Sequence, residues 1–133
     1  MPAAGWLRWR RWLALGVLGV VLLAVLAAVL VGNQPPSART LDTYCAALTG
    51  GDYQGVYQQL SPRLQAAGSE QQMAQLLALD KVTSCSHGPV SQSGTRVMAT
   101  LSLVHASGVK SEDVVVLVQG SDGRWKIELI RQL

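Results

Sequence analysis

Apolar positions along the chain change pattern as it proceeds. From Trp12 to Val31 they are continuous: WLALGVLGVVLLAVLAAVLV carries no charge and no strongly hydrogen-bonding side chain. At about 1.5 Å per residue such a run reaches roughly 30 Å, the thickness of a bilayer's hydrocarbon core, so residues 12–31 are predicted to form a transmembrane helix. A core helix would show a polar stripe at the helical period, and this run has none.

From Leu41 to Leu77 the apolar residues return at helical spacing. Leu41, Tyr44, Cys45 and Leu48 form one stripe, and Gly50-Gly51 ends it, since glycine accepts the left-handed conformation that follows a helix. Asp52 can cap a second helix with the stripe Tyr53, Val56, Tyr57 and Leu60. Ser61-Pro62 restarts the chain with a cap and a proline at the first helical position, and Gly68 breaks it again. Ser69 and Gln72 have capping-box spacing ahead of Met73, Leu76 and Leu77.

Beyond Lys81 the pattern is that of strands. It is weak from Lys81 to Val90, where Gly88-Pro89 intervenes. From Arg96 to Ala106 it is clean, with Val97, Ala99, Leu101 and Leu103 pointing one way and Thr100 and Ser102 the other. Val114–Val118 is a run rich in β-branched residues, expected to be buried on both faces; Trp125, Ile127 and Leu129 alternate with Lys126 and Glu128. Turn signals at Gln92-Ser93-Gly94, Ser107-Gly108 and Ser121-Asp122-Gly123 separate these segments. Helices followed by hairpins predict an α+β domain, its helices on one face of an antiparallel sheet.

Charge adds direction. Arg8, Arg10 and Arg11 precede the apolar run, and no charge follows it until Arg39. Basic flanks stay cytoplasmic, so the N-terminus is expected inside and the rest of the chain outside. Trp6, Trp9 and Trp12 recur every third residue and read, with the three arginines, as membrane-interface anchors. The expected organisation is a basic cytoplasmic segment at 1–11, a signal-anchor helix at 12–31 and a linker at 32–37 stiffened by Pro35-Pro36. An extracytoplasmic domain follows at 38–133, making this a single-pass protein of the cell membrane. A cleaved secretory signal is the alternative, although its apolar region usually spans only about 7–15 residues; the domain is exported either way.

The net charge of +3 and pI near 9.2 come from the N-terminal arginines. Of 11 Lys and Arg, those three precede the apolar run, and the remainder equal the 8 acidic residues in number. The charges beyond Ser37 are scattered, so no phosphate-tracking patch forms and nucleic acid is excluded as a partner.

The segments DTYCAALTGGDYQGVYQQLSP, VTSCS and DGRWKIELI, in this order, resemble the nuclear transport factor two-like superfamily. Within it they are most similar to small bacterial membrane-anchored or lipid-anchored proteins. The resemblance spans roughly residues 38–133, and its most specific parts are Gly51-Asp52-Tyr53 with Leu60-Ser61-Pro62 and the closing Gly123-x-Trp125-Lys126-Ile127. It implies a cystatin-like cone, with about three helices packed on a curved antiparallel sheet of about four strands. It implies no particular activity, because the superfamily hosts enzymes, ligand binders and interaction domains.

Cys45 and Cys85 both lie in the exported part, where an oxidising compartment favours a disulfide. In such a cone the strand holding Cys85 can face the helix stripe holding Cys45. Two free buried thiols are the alternative, and the pair lacks the C-x-x-C arrangement of redox motifs. Cys85-Ser86-His87 and His105 match no zinc spacing, so both histidines read as surface residues and neither metal nor cofactor is expected. The acids Asp80, Glu112, Asp113 and Glu128 are the catalytic candidates. Asp80 ends a helix beside Lys81, Glu112 and Asp113 point to opposite faces, and Glu128 reads as solvent-facing, so no catalytic residue is assigned. Tyr44, Tyr53, Tyr57 and Trp125 could line a small-molecule pocket, with core packing as the alternative. The expectation is a non-enzymatic module that binds a protein or envelope component, with a ligand-binding cone and a small hydrolase or isomerase as rivals.

Overall fold

The computed structural model describes residues 16–28 and 33–133, and the chain divides after Gln34 into two units, each taken by itself. In the first, α1 covers residues 16–28, with its valine and leucine side chains exposed. Among the described residues no helix is long and apolar enough to cross a membrane. This corrects the expected transmembrane helix at 12–31, of which only residues 16–28 are described, as a helix. Residues 12–15 and 29–31 of the expected span, and Trp6, Arg8, Trp9, Arg10, Arg11 and Trp12, lie outside the described residues.

The second unit, Pro35–Leu133, begins with α2 (Pro36–Gly50), α3 (Tyr53–Gln58), α4 (Pro62–Ala66) and α5 (Glu70–Leu79). Each boundary has a local cause. Pro35 caps α2 and Pro36 is its first residue, where the missing N–H costs no hydrogen bond, so the helix starts inside the expected linker. Gly51, at φ 70°, ends α2 in the left-handed conformation that an L side chain resists. The Asp52 carboxylate accepts from Gly55 N at 3.0 Å and Ser61 Oγ from Leu64 N at 3.3 Å, starting α3 and α4. Ser69 and Gln72 form a reciprocal capping box at the head of α5. With its own cap and proline, α4 is a separate short helix, which gives this unit one more helix than expected.

The strands are β1 (Val82–His87), β2 (Ser91–Ser93), β3 (Arg96–His105), β4 (Lys110–Gln119) and β5 (Trp125–Gln132). They form an antiparallel sheet in the order β1-β3-β4-β5, with β2 pairing β3 beside β1. The strand beyond the expected four is β2: what reads as a turn at Gln92-Ser93-Gly94 is half of a tight hairpin turned at Gly94, φ 62°. The segment before α4 lies along the far edge of β5. Ser61 N donates to Ile127 O at 2.8 Å, and Ile127 N donates to Gln59 O at 2.9 Å.

The helices cover one face of the sheet. Leu41 and Leu48 of α2 and Val56 of α3 meet Val97 and Leu101 of β3, Val115 and Leu117 of β4 and Ile127 of β5 in a single buried cluster. On β5 the alternation read from sequence stops at Ile127. A bulge pairs Leu117 with Ile127 but Val116 with Leu129, leaving Glu128 without an opposite residue. Beyond it Ile130 stands opposite the inward Val115, and Leu129 also borders the space between helices and sheet.

Candidate functional site

The cluster does not fill the whole space between helices and sheet. A cavity of about 550 Å³ remains toward the far end of β3 and β4. Its helical wall is Leu48, Val56, Leu60, Leu64, Met73 and Leu77, and its sheet wall includes Val82, Leu103 and Ile130. Five polar residues share it: Tyr44, His105, Ser111, Asp113 and Gln132.

Strand parity brings most of these together. On β3 the inward series Val97, Ala99, Leu101, Leu103 continues to His105; on β4 the series Leu117, Val115 continues backward to Asp113 and Ser111. Ser111 stands directly opposite Leu103, and Asp113 stands between Leu101 and Gln132, so cross-strand register places them on one face. Gln132 reaches that face because of the β5 bulge. Tyr44 arrives from the buried stripe of α2.

The environment sets the chemistry of each group. His105 Nδ1 lies 3.1 Å from Asp80 O and Nε2 3.3 Å from Ser111 Oγ. Burial is the main cause that holds the Asp113 carboxyl above its usual range, with His105 pulling weakly the other way. Burial, then the nearby Asp113 charge, pushes the Tyr44 phenol up to about 12. Just outside, Asp80 accepts from Ser107 Oγ at 2.6 Å and Ser107 N at 3.1 Å, which lowers its carboxyl.

The remaining expected residues lie elsewhere. The Tyr57 hydroxyl donates to Gln65 O at 2.9 Å, and Tyr57 borders a groove of about 670 Å³ on the outer side of the helices. That groove also holds the exposed Leu76 and Leu79, and it shares Leu60, Leu64 and Met73 with the inner cavity. Tyr53 is half-buried on α3 and borders neither space. Trp125 borders a cleft with Thr40, whose hydroxyl donates to Trp125 O at 3.2 Å.

Glu112 is exposed. Glu128 does not simply face solvent: its side chain is 22% exposed and pairs with Arg63, and a hydrogen bond from Ser61, ahead of Arg63, lowers its carboxyl. Cys45 and Cys85 form a disulfide that ties α2 to β1, and His87 Nε2 lies 2.9 Å from Asp42 Oδ1 beside it. Both histidines are therefore half-buried rather than surface residues. The His87 side chain, 16% exposed, is held by Asp42 of α2 and Gly88 O, and that of His105, 23% exposed, by Asp80 and Ser111. Among the described residues no group of three or more His, Cys, Asp or Glu could hold a metal ion.

This architecture, short helices laid over one face of an antiparallel sheet with a cavity between, defines a class of α+β domain. No family model and no curated protein matches the chain. Solved structures do. A SEC-C motif containing protein from Rhodopseudomonas palustris is 11% identical at a TM-score of 0.61, over 80% of this chain and 88% of that one. A DUF4783 family protein from Bacteroides ovatus is 12% identical at 0.55, over 68% and 90%. A candidate ketosteroid isomerase from Shewanella frigidimarina is 14% identical at 0.54, over 75% and 96%. At such identities the likeness is one of fold.

Proposed function

We propose that the second unit is a ligand-binding domain of the nuclear transport factor two-like kind, holding an apolar small molecule with a polar head between its helices and its sheet. The cavity carries this reading: about 550 Å³ is within the usual range of roughly 300–1,000 Å³ for ligand sites, and its sheet strands carry His105, Ser111, Asp113 and Gln132 in a largely aliphatic lining. The disulfide supports an oxidising, exported setting. The likeness to the candidate isomerase is one of fold and carries no activity with it. The test is an NMR titration of the full chain with 1-octanol. Saturable shifts at the amides of Leu103, Ser111 and Asp113 are expected; shifts confined to other parts of the chain would remove the reading.

One observation favours a second reading, ester hydrolysis. Ser111 Oγ, His105 Nε2 and, on the ring's other side at 3.9 Å from Nδ1, Asp80 Oδ2 stand in the order of a nucleophile, a base and an orienting acid. Binding without turnover is preferred because the Asp113 carboxyl shares the cavity and would oppose the negative oxygen of a tetrahedral intermediate. Hydrolysis of a short p-nitrophenyl ester that disappears in Ser111→Ala would reverse this preference.

A further inference from the structure

The polar part of the cavity is rich in acceptors, beside the Tyr44 hydroxyl and the Gln132 amide, which can both donate and accept. Asp80 O is a carbonyl and can only accept, so in the neutral ring of His105 it is Nδ1 that carries the proton. Nε2 is then an acceptor, and the hydrogen bond there is donated by the Ser111 hydroxyl. With its one proton engaged, Ser111 Oγ offers the cavity only lone pairs. Asp113, two residues along the same face of β4, adds a carboxyl with no hydrogen bond and no ion pair among the described residues. Tyr44, 7% exposed, adds a hydroxyl bonded to no protein group among the described residues. Among the described residues no Lys or Arg lines the cavity.

We propose that this cavity selects an amphiphilic primary amine, whose ammonium sits among Asp113, Ser111 and Tyr44 while its hydrocarbon lies along Leu64, Met73 and Leu77. The inference rests on the reading of the cavity as a ligand site and names the chemistry of the head group. An ammonium has three N–H donors and a positive charge, matching acceptors that include a carboxylate without a counter-ion. A carboxylate head would meet Asp113 with no cation to offset the repulsion. An alcohol could bond to one acceptor but would leave the charge of Asp113 unmet.

The upward displacement of the Asp113 carboxyl agrees with this: burial without a partner disfavours the ionised form, and an arriving cation relieves that cost.

The test is titration calorimetry on the full chain with three probes of equal tail length, octylamine, 1-octanol and octanoate, at neutral pH. Octylamine is expected to bind about tenfold more tightly than octanol, the value of one hydrogen bond to a charged group, and octanoate more weakly than either. Asp113→Asn is expected to collapse the amine-to-alcohol ratio to about one. Ser111→Ala, which leaves the strand charge unchanged, is expected to reduce that ratio by a smaller factor. Equal binding of octylamine and octanol by the natural chain, tighter binding of octanoate, or an Asp113→Asn variant that keeps the full ratio overturns the inference and leaves the cavity as a ligand site. If none of the three probes binds, the ligand-site reading itself falls and the inference with it.

Discussion

Cys45 and Cys85 join the helix that carries Tyr44 to a strand paired with the one that carries His105, their Cα atoms 5.2 Å apart across 40 residues of sequence. The bond thereby fixes one wall of the cavity against the other. Cross-linking a loop of this length restricts the unfolded chain by about 3–4 kcal/mol in the entropy account. The double variant Cys45→Ala/Cys85→Ala is expected to lose about that much stability in urea denaturation. An unchanged midpoint would mean that the bond is incidental to folding.

Leu117 is fully buried at the centre of the sheet, whereas Leu79 is 83% exposed at the end of α5. Leu117→Ala is expected to cost about 3 kcal/mol, from lost transfer energy plus the void left behind. Leu79→Ala should stay within about 0.5 kcal/mol of the natural chain. Chemical denaturation of both variants side by side checks the placement of the core.

The capping box at Ser69 and Gln72 satisfies two amides at the head of α5. Ser69→Ala is expected to cost about 1 kcal/mol, and Ser69→Asp to recover most of it. Circular dichroism through a urea series would show both.

Asp113 and Asp80 are expected to respond to pH with opposite sign. The folded chain holds a proton on Asp113 more readily than the unfolded chain does, so its contribution to stability falls as pH rises above the ordinary value of 3.8. Asp113→Asn is therefore expected to raise the thermal midpoint at pH 7, with the gain fading under acid conditions. Asp80 is lowered by its two bonds from Ser107, so its contribution is present above 3.8 and is lost as pH falls through its folded value. Asp80→Asn is expected to lower the midpoint at pH 7 and to match the natural chain in acid.

Tyr44 is expected to ionise far from the ordinary 10.0. Spectrophotometric titration should show the Tyr44 phenol losing its proton at about 12, and Tyr44→Phe should delete that transition. A titration in which the transition deleted by Tyr44→Phe lies near 10 would place Tyr44 in water instead.

Local chemistry made much of this fold legible. Gly51, Asp52, Ser61 and Ser69 act where residue type and spacing place them, because caps and left-handed turns are decided within a few residues. The inward face of β3 was legible from its alternation. The cavity groups were only partly so. Asp113 shares parity with Val115 and Leu117, and His105 with Leu101 and Leu103, so the signal that they face inward was present but was outweighed by their polarity. Gln132 could not be read, since one unpaired residue at Glu128 reverses which side chains face in, and no local pattern marks it. The cavity itself depends on how closely the helices settle on the sheet, which sequence periodicity does not encode. At the N-terminus, hydropathy measured the apolar run, but the described helix is shorter than that run.

Leu60, Leu64 and Met73 border the inner cavity on one side and the outer groove on the other. They form a partition a single layer of side chains thick, carried by the loop before α4, by α4 and by α5. Opposite it stands a hydrogen-bonded sheet whose shape is fixed by its register. A guest molecule would therefore meet a hard template on one side and a membrane-thin, rotatable screen on the other. Its head group would be judged strictly against β4, while the girth of its tail would be negotiated by a few turning leucine and methionine side chains.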